Sequence, residues 1–201
     1  EDHLTNYMLD AALADASLIN DSMSSPLQGT HLRELAQEYY QVQARTTLLE
    51  RRYPLEILKQ LPNLKPMSRA NLENKDLVLT WLDSLKGEIS RDSPSTSVSK
   101  TFVKENETES LFLPAVCLVT HGVERIYLFD ANFFDSADYQ SITRLGNRLK
   151  PFHSETGSIT VKRGEKTQKV NKFEEALEWL QGEALRGQTR QRYKGLGEMN
   201  P

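Results

Sequence analysis

A change of apolar period part-way along the chain restricts the fold more than any other feature. Leu32, Leu35, Tyr39, Val42, Thr46, Leu49 and Tyr53 alternate steps of three and four, the seam of a long amphipathic helix that Pro54 ends. A short helix can start at the same proline and carry Leu55, Ile57, Leu58 and Leu61. A third, over about residues 75–89, sets Val78, Trp81, Leu82, Leu85 and Ile89 on one face, suited to packing antiparallel on the first. Past a serine-rich run at 91–100 the spacing turns strand-like, over 101–103, 111–120 and 123–129, with His121-Gly122 as a tight hairpin turn. Pro114 calls for an edge position or a bulge. The pattern predicts an α+β fold: a helical subdomain built on a long amphipathic helix, then β-hairpins with flanking helices, divided within 91–100.

The flanks follow the same rules. Leu4, Met8, Ala11 and Ala12 suggest a short helix, Leu18 and Ile19 a brief strand, and Ser22, Ser24, Ser25, Pro26 and Gly29 a loop. Asp135 or Ser136 can cap a helix carrying Tyr139, Ile142, Leu145 and Leu149, and 158–163 with 166–170 form a second hairpin around Gly164. Asn171 reads as an N-cap with Glu174 three residues on, followed by the stripe Phe173, Ala176, Leu177, Leu180 and Ala184, with Trp179 on its flank. Gly187 suits the cap that closes this helix. Tyr39, Tyr53 and Trp81 read as core aromatics.

Several classes of chemistry lack the residues they need. Cys117 is the only cysteine, so neither an internal disulfide nor a multi-cysteine metal site can form, as befits a cytoplasmic protein. The longest apolar run, 111–119, is about half of the roughly 20 residues a membrane helix requires. His3, His31, His121 and His153 never fall at H-E-x-x-H spacing, no phosphate-binding P-loop occurs, and Gly195-Leu196-Gly197 does not complete G-x-G-x-x-G. Glu105, Glu107 and Glu109 alternate as paired carboxylates on a strand would, but they flank Asn106 and Thr108 at what reads as a solvated hairpin tip. No catalytic or metal-ligating residue is predicted. Asn200-Pro201 has the order of a helix opening, which suggests a piece of a longer chain.

Charge is informative only locally. The formal net charge is -3, yet residues 1–32 carry five acids and no Lys or Arg, so the remainder is slightly basic. Arg186, Arg190, Arg192 and Lys194 follow one another with no acid before Gly197, and the second hairpin adds Lys162, Arg163, Lys166, Lys169 and Lys172 against Glu165. A basic strand running into Lys194-Gly195-Leu196-Gly197 would offer cations to phosphate, and its glycines would let main-chain N–H groups approach a nucleic-acid backbone. Composition alone favours the plainer reading, a solvated strand leaving a helix and turning, and the functional alternative is a DNA-proximal edge of Arg190, Arg192, Lys194, Gly195 and Gly197.

The string 191–201, Gln-Arg-Tyr-Lys-Gly-Leu-Gly-Glu-Met-Asn-Pro, resembles a motif in the C-terminal part of bacterial DNA gyrase B subunits and their topoisomerase relatives. Glu50-Arg51-Arg52-Tyr53-Pro54, Thr120-His121-Gly122-Val123 and residues 173–180 are similar, in order and spacing, to the long insertion in gyrase B subunits of many Gram-negative bacteria. The resemblance implies that 1–14 flank the insert within the TOPRIM metal-binding module, that 15–92 and 93–171 are its helical and β-rich parts, and that 172–201 return to TOPRIM. It implies a non-catalytic insert that braces domains and aids DNA engagement within an ATP-dependent supercoiling enzyme. ATP and Mg would be cofactors of the parent and not of this segment, and the partners would be the rest of the B subunit, the gyrase A subunit and DNA. An autonomous DNA-binding module on the basic C-terminal edge is the alternative reading.

Overall fold

The computed structural model describes residues 2–153 and 158–197. In chain order the elements are α1 (Asp2–Leu13), β1 (Ala16–Ile19), β2 (Leu27–Gln28), α2 (Gly29–Leu49), α3 (Leu55–Leu58), α4 (Lys75–Asp92), β3 (Thr96–Asn106), β4 (Leu111–Thr120) and β5 (Val123–Leu128). Then follow α5 (Ala131–Asp135), α6 (Ala137–Leu149), β6 (Ile159–Arg163), β7 (Lys166–Val170) and α7 (Phe173–Gly197). Both sheets are antiparallel, β2-β1-β6-β7 and β3-β4-β5, so the fold is α+β as predicted. The chain divides into two compact units, Gln41–Asn147 and Glu1–Tyr40 with Arg148–Pro201.

In the unit Gln41–Asn147, α4 buries Val78, Trp81, Leu82, Leu85 and Ile89, the stripe its spacing predicts. The helix starts where a polar cap meets orphan amides: Asn74 Oδ1 accepts from the N–H of Asp76 at 3.0 Å and of Leu77 at 3.3 Å. Its main packing partner is the sheet, β3 and β4, and not α2 as the helical period suggested. An apolar stripe shows that a helix has a covered face without saying what covers it. The serine-rich run 91–100 is largely regular structure, α4 reaching Asp92 and β3 starting at Thr96. Ser95, Ser97 and Ser99 are all exposed, so their hydroxyls stay solvated in the turn and along the outward face of β3.

β4 is the central strand, and the continuous apolar run along it is buried on both faces. Pro114 therefore lies in the middle strand, where the sequence argued for an edge or a bulge. Pairing to β5 begins only at Ala115, so Pro114 has a strand partner on the β3 side alone, and its carbonyl accepts from Phe129 N–H at 3.0 Å just past β5. The irregularity in this sheet falls instead between Val98 and Lys100. His121 and Gly122 join β4 to β5 with φ of 51° and 78°, the two positive values of the tight hairpin turn whose twist matches its strands.

α2 ends at Leu49, one turn before the predicted Tyr53. The hydroxyls of Thr46 and Thr47 bond back to the Val42 and Gln43 carbonyls at 2.8 and 3.1 Å, and Pro54 disfavours helical backbone at the residue before it. Tyr53 still turns inward, stacking on Phe129 with ring centroids 5.0 Å apart. Phe129, Phe133, Phe134, Trp81 and Tyr139 complete an aromatic cluster with edge-to-face and tilted contacts. Burial pushes the Tyr139 phenol up to about 12, and its oxygen accepts from Met67 N–H at 2.9 Å. Ser136 caps α6 through Tyr139 N–H at 3.2 Å, while Asp130 caps α5, a five-residue helix too short to show a period.

The other unit joins the two ends of the sequence, because β1 pairs with β6 from Ala16↔Arg163 to Ile19↔Thr160. Leu18, Ile159 and Val161 face inward with Phe173, Ala176, Leu177 and Leu180 of α7, the predicted stripe. α7 begins one residue later than its sequence reading, at Phe173: the Lys172 carbonyl accepts from Ala176 N–H at 3.2 Å, and it is Glu175 that reaches back to Asn171 N–H at 3.0 Å. On α1, Leu9 and Ala12 are buried while Met8 is exposed. Tyr39 lies edge-on to Tyr40 and Phe173, in agreement with its reading as a packing residue. Among the described residues no helix is long and apolar enough to cross a membrane.

Candidate functional site

The β6-β7 turn and the C-terminal half of α7 bring the two basic segments together. Ile159 and Val161 point into the core, which fixes the strand's phase and brings Arg163 to the end of β6; Gly164, at φ 60°, turns the chain so that Lys166 opens β7. α7 answers with Glu183, Arg186 and Arg190, at helical spacings of three and four. Between them lies a groove of about 320 Å³ lined by Arg163, Glu165, Lys166, Glu183, Arg186, Gly187 and Arg190.

Glu183 organises the cations. Its carboxylate is buried, accepting from Lys166 Nζ at 2.9 Å on one oxygen and from Arg186 at 2.8 Å on the other. The hydrogen bond from Lys166, strengthened by the nearby positive charges, holds this carboxyl below the usual range. Arg163 donates to the Ala11 carbonyl at 3.3 Å, and its enclosed Nε finds no acceptor among the described residues. Arg190 is exposed and has no hydrogen-bond or ion-pair partner among the described residues. Glu183 was not singled out from the sequence, although its i, i+3, i+7 spacing to Arg186 and Arg190 was there to be read.

The predicted DNA-proximal set is only partly gathered. Residues 186–197 are helix, not the basic strand expected, and α7 runs through Gly187 to Gly197. Each interior glycine costs about 1 kcal/mol against Ala, but Gln, Arg, Leu and Lys around them favour helix and no proline intervenes before Pro201. Helical rotation of about 100° per residue puts Lys194 near the Arg190 face and Arg192 well round the helix from it. Gly195 and Gly197 lie in the helix, where main-chain N–H groups bond back to preceding carbonyls, so the open approach to backbone amides that the strand reading gave them is absent. Arg190, Arg192, Tyr193 and Lys194 are exposed. Glu198, Met199, Asn200 and Pro201 lie outside the described residues.

The acidic triplet sits at the β3-β4 turn with all three side chains exposed, and Glu109 pairs with Arg69 at 3.4 Å. Among the described residues no three His, Cys, Asp or Glu side chains converge as a metal site would need. Cys117 is buried in β4.

Residues 16–184 match the family of the DNA gyrase B subunit insert domain. The chain belongs to that family. This gyrase B insert thus forms part of a type II topoisomerase subunit, and the match runs from β1 into α7. Arg163, Lys166 and Glu183 fall inside the matched span, whereas Arg186, Arg190, Arg192, Lys194, Gly195 and Gly197 follow it.

Proposed function

We propose that the chain is a non-catalytic structural and interaction insert of the gyrase B subunit, bracing neighbouring domains and helping the enzyme engage DNA during ATP-dependent supercoiling. The family match over 16–184 carries this reading. The packed aromatic core of Gln41–Asn147 suits a scaffold. On this reading, residues 15–171 are the insert, helical over 15–92 and β-rich over 93–171, and residues 1–14 and 172–201 belong to the TOPRIM module it interrupts. ATP, Mg and the DNA-cleaving chemistry lie in other parts of the cytoplasmic enzyme, which includes the gyrase A subunit.

Arg190, Arg192, Lys194, Gly195 and Gly197 are placed beside DNA on this reading, with the cations of exposed α7 offering phosphate contacts. The test compares the parent enzyme carrying Arg190→Ala, Arg192→Ala and Lys194→Ala with a parent lacking 15–171. Losing DNA affinity in the first and supercoiling in both supports the reading; wild-type values in both refute it. The basic groove favours a second reading, an autonomous DNA-binding module, which requires salt-sensitive duplex binding by the 201-residue chain itself.

A further inference from the structure

The groove between the β6-β7 turn and α7 has an excess of donors over the acceptors that the described residues supply. Four cations, Arg163, Lys166, Arg186 and Arg190, face two carboxylates, Glu165 and Glu183. Glu183 satisfies one donor each on Lys166 and Arg186. That leaves most of the Arg186 fork and part of the Lys166 ammonium to solvent, together with Arg190, which has no partner among the described residues. Cations this close repel one another, and a single buried carboxylate holds them in register while the groove as a whole stays positive. Its volume, about 320 Å³, is several times the roughly 30 Å³ share of one water, enough for a tetrahedral oxyanion with some of its hydration.

We propose that this groove is an oxyanion site for a phosphate group, with Arg186 and Arg190 from α7 and Lys166 from β7 supplying the donors and Glu183 positioning two of them. Arg163 supports the site from the end of β6, tied to α1 through Ala11. The proposal is separate from DNA contact by the α7 terminus, with which it shares only Arg190. Guanidinium forks recognise the paired oxygens of a phosphate, and Lys166 adds a point charge. The phosphate could belong to a free ion or to a nucleic-acid backbone, and the two sources are separable by competition.

The probe is inorganic pyrophosphate, titrated into the 201-residue chain by calorimetry and by amide chemical-shift mapping at low ionic strength. Expected are shifts centred on the β6-β7 turn and residues 183–190. Arg190→Ala, an exposed change that the fold tolerates, should weaken binding about tenfold. Glu183→Gln, which gives up the charge that holds Lys166 and Arg186 in place, should weaken it several-fold, whereas removing a carboxylate that only repelled the anion would tighten it. Lys86→Ala, on the exposed face of α4, should leave it unchanged. If a short DNA duplex displaces pyrophosphate, and Arg190→Ala lowers the salt slope of duplex binding by about 0.9, the phosphate is that of the backbone. If duplex does not compete, the ion is free phosphate. No pyrophosphate binding at millimolar concentration, or binding indifferent to both Arg190→Ala and Glu183→Gln, would overturn the proposal. DNA binding lost in the triple-alanine parent while pyrophosphate fails to bind would refute this site and leave the proposed function standing.

Discussion

Gly146→Ala is the most exacting local test of how the unit Gln41–Asn147 is packed. A Cβ built on Gly146 would overlap the Pro62 carbonyl oxygen and lie 2.9 Å from both its carbonyl carbon and Cα. All three are backbone atoms, so no side-chain rotation relieves the overlap. Two opposing effects then compete. Ala in the interior of α6 gains about 1 kcal/mol of helix propensity over Gly. Overpacking typically costs about 1–3 kcal/mol when side chains can give, and here α6 must move away from the segment carrying Pro62, which places the cost at or above the top of that range. The expected net loss is about 2 kcal/mol, or roughly 4–8 °C in Tm for a chain of this size. Gly87→Ala is the internal control: it also lies within a helix, and nothing is within 4 Å of its Cβ, so it should gain up to about 1 kcal/mol. Urea unfolding of the two variants beside wild type reads both. Equal stability of the two, or a stabilised Gly146→Ala, would show that α6 does not press on Pro62 as described.

Asn74→Ala removes the side chain that caps α4 and should cost about 1 kcal/mol, seen as a lower urea midpoint with an unchanged slope. Trp81→Phe should cost less than about 1 kcal/mol despite its smaller ring, because the buried Trp81 Nε1 has no acceptor among the described residues; Trp81→Ala should cost about 3–5 kcal/mol. Glu183 has a folded pKa held below its ordinary 4.5, so the folded state binds fewer protons. Its contribution is present above pH 4.5 and is lost as pH falls through the lower folded value, and Glu183→Gln should flatten the acid limb of a stability profile from pH 6 to pH 3. Gly122→Val, at φ 78° in the β4-β5 turn, should cost more than about 1 kcal/mol in thermal unfolding.

Local order was legible in the sequence wherever one residue pattern determined one element. The stripes of α4 and α7, the two hairpins and the Ser136 cap of α6 each depend on spacings of two to four residues, and each is in the fold. Long-range partners were not. Nothing near Leu18 indicates that β1 pairs with Val161, and nothing in the α4 stripe distinguishes a covering sheet from a covering helix. Pro114 misled because its backbone constraint applies to one side of a strand, and in β4 that side is unpaired only as far as Ala115. The basic segment after Glu183 misled in the opposite sense. Its alternating cations imitate a strand, while the helix begun at Phe173 simply continues at small cost per glycine. The candidate site was half visible: its cations could be counted, but the buried Glu183 that assembles them became evident only when β7 and α7 were set side by side.

The central claim is that this insert supports DNA engagement without taking part in the chemistry. The direct measurement is duplex affinity and supercoiling rate of gyrase whose B subunit lacks residues 15–171, alongside its ATP hydrolysis in the absence of DNA. The account predicts weaker DNA binding and slower supercoiling with the DNA-independent hydrolysis preserved. DNA affinity and supercoiling equal to those of the intact enzyme would contradict it.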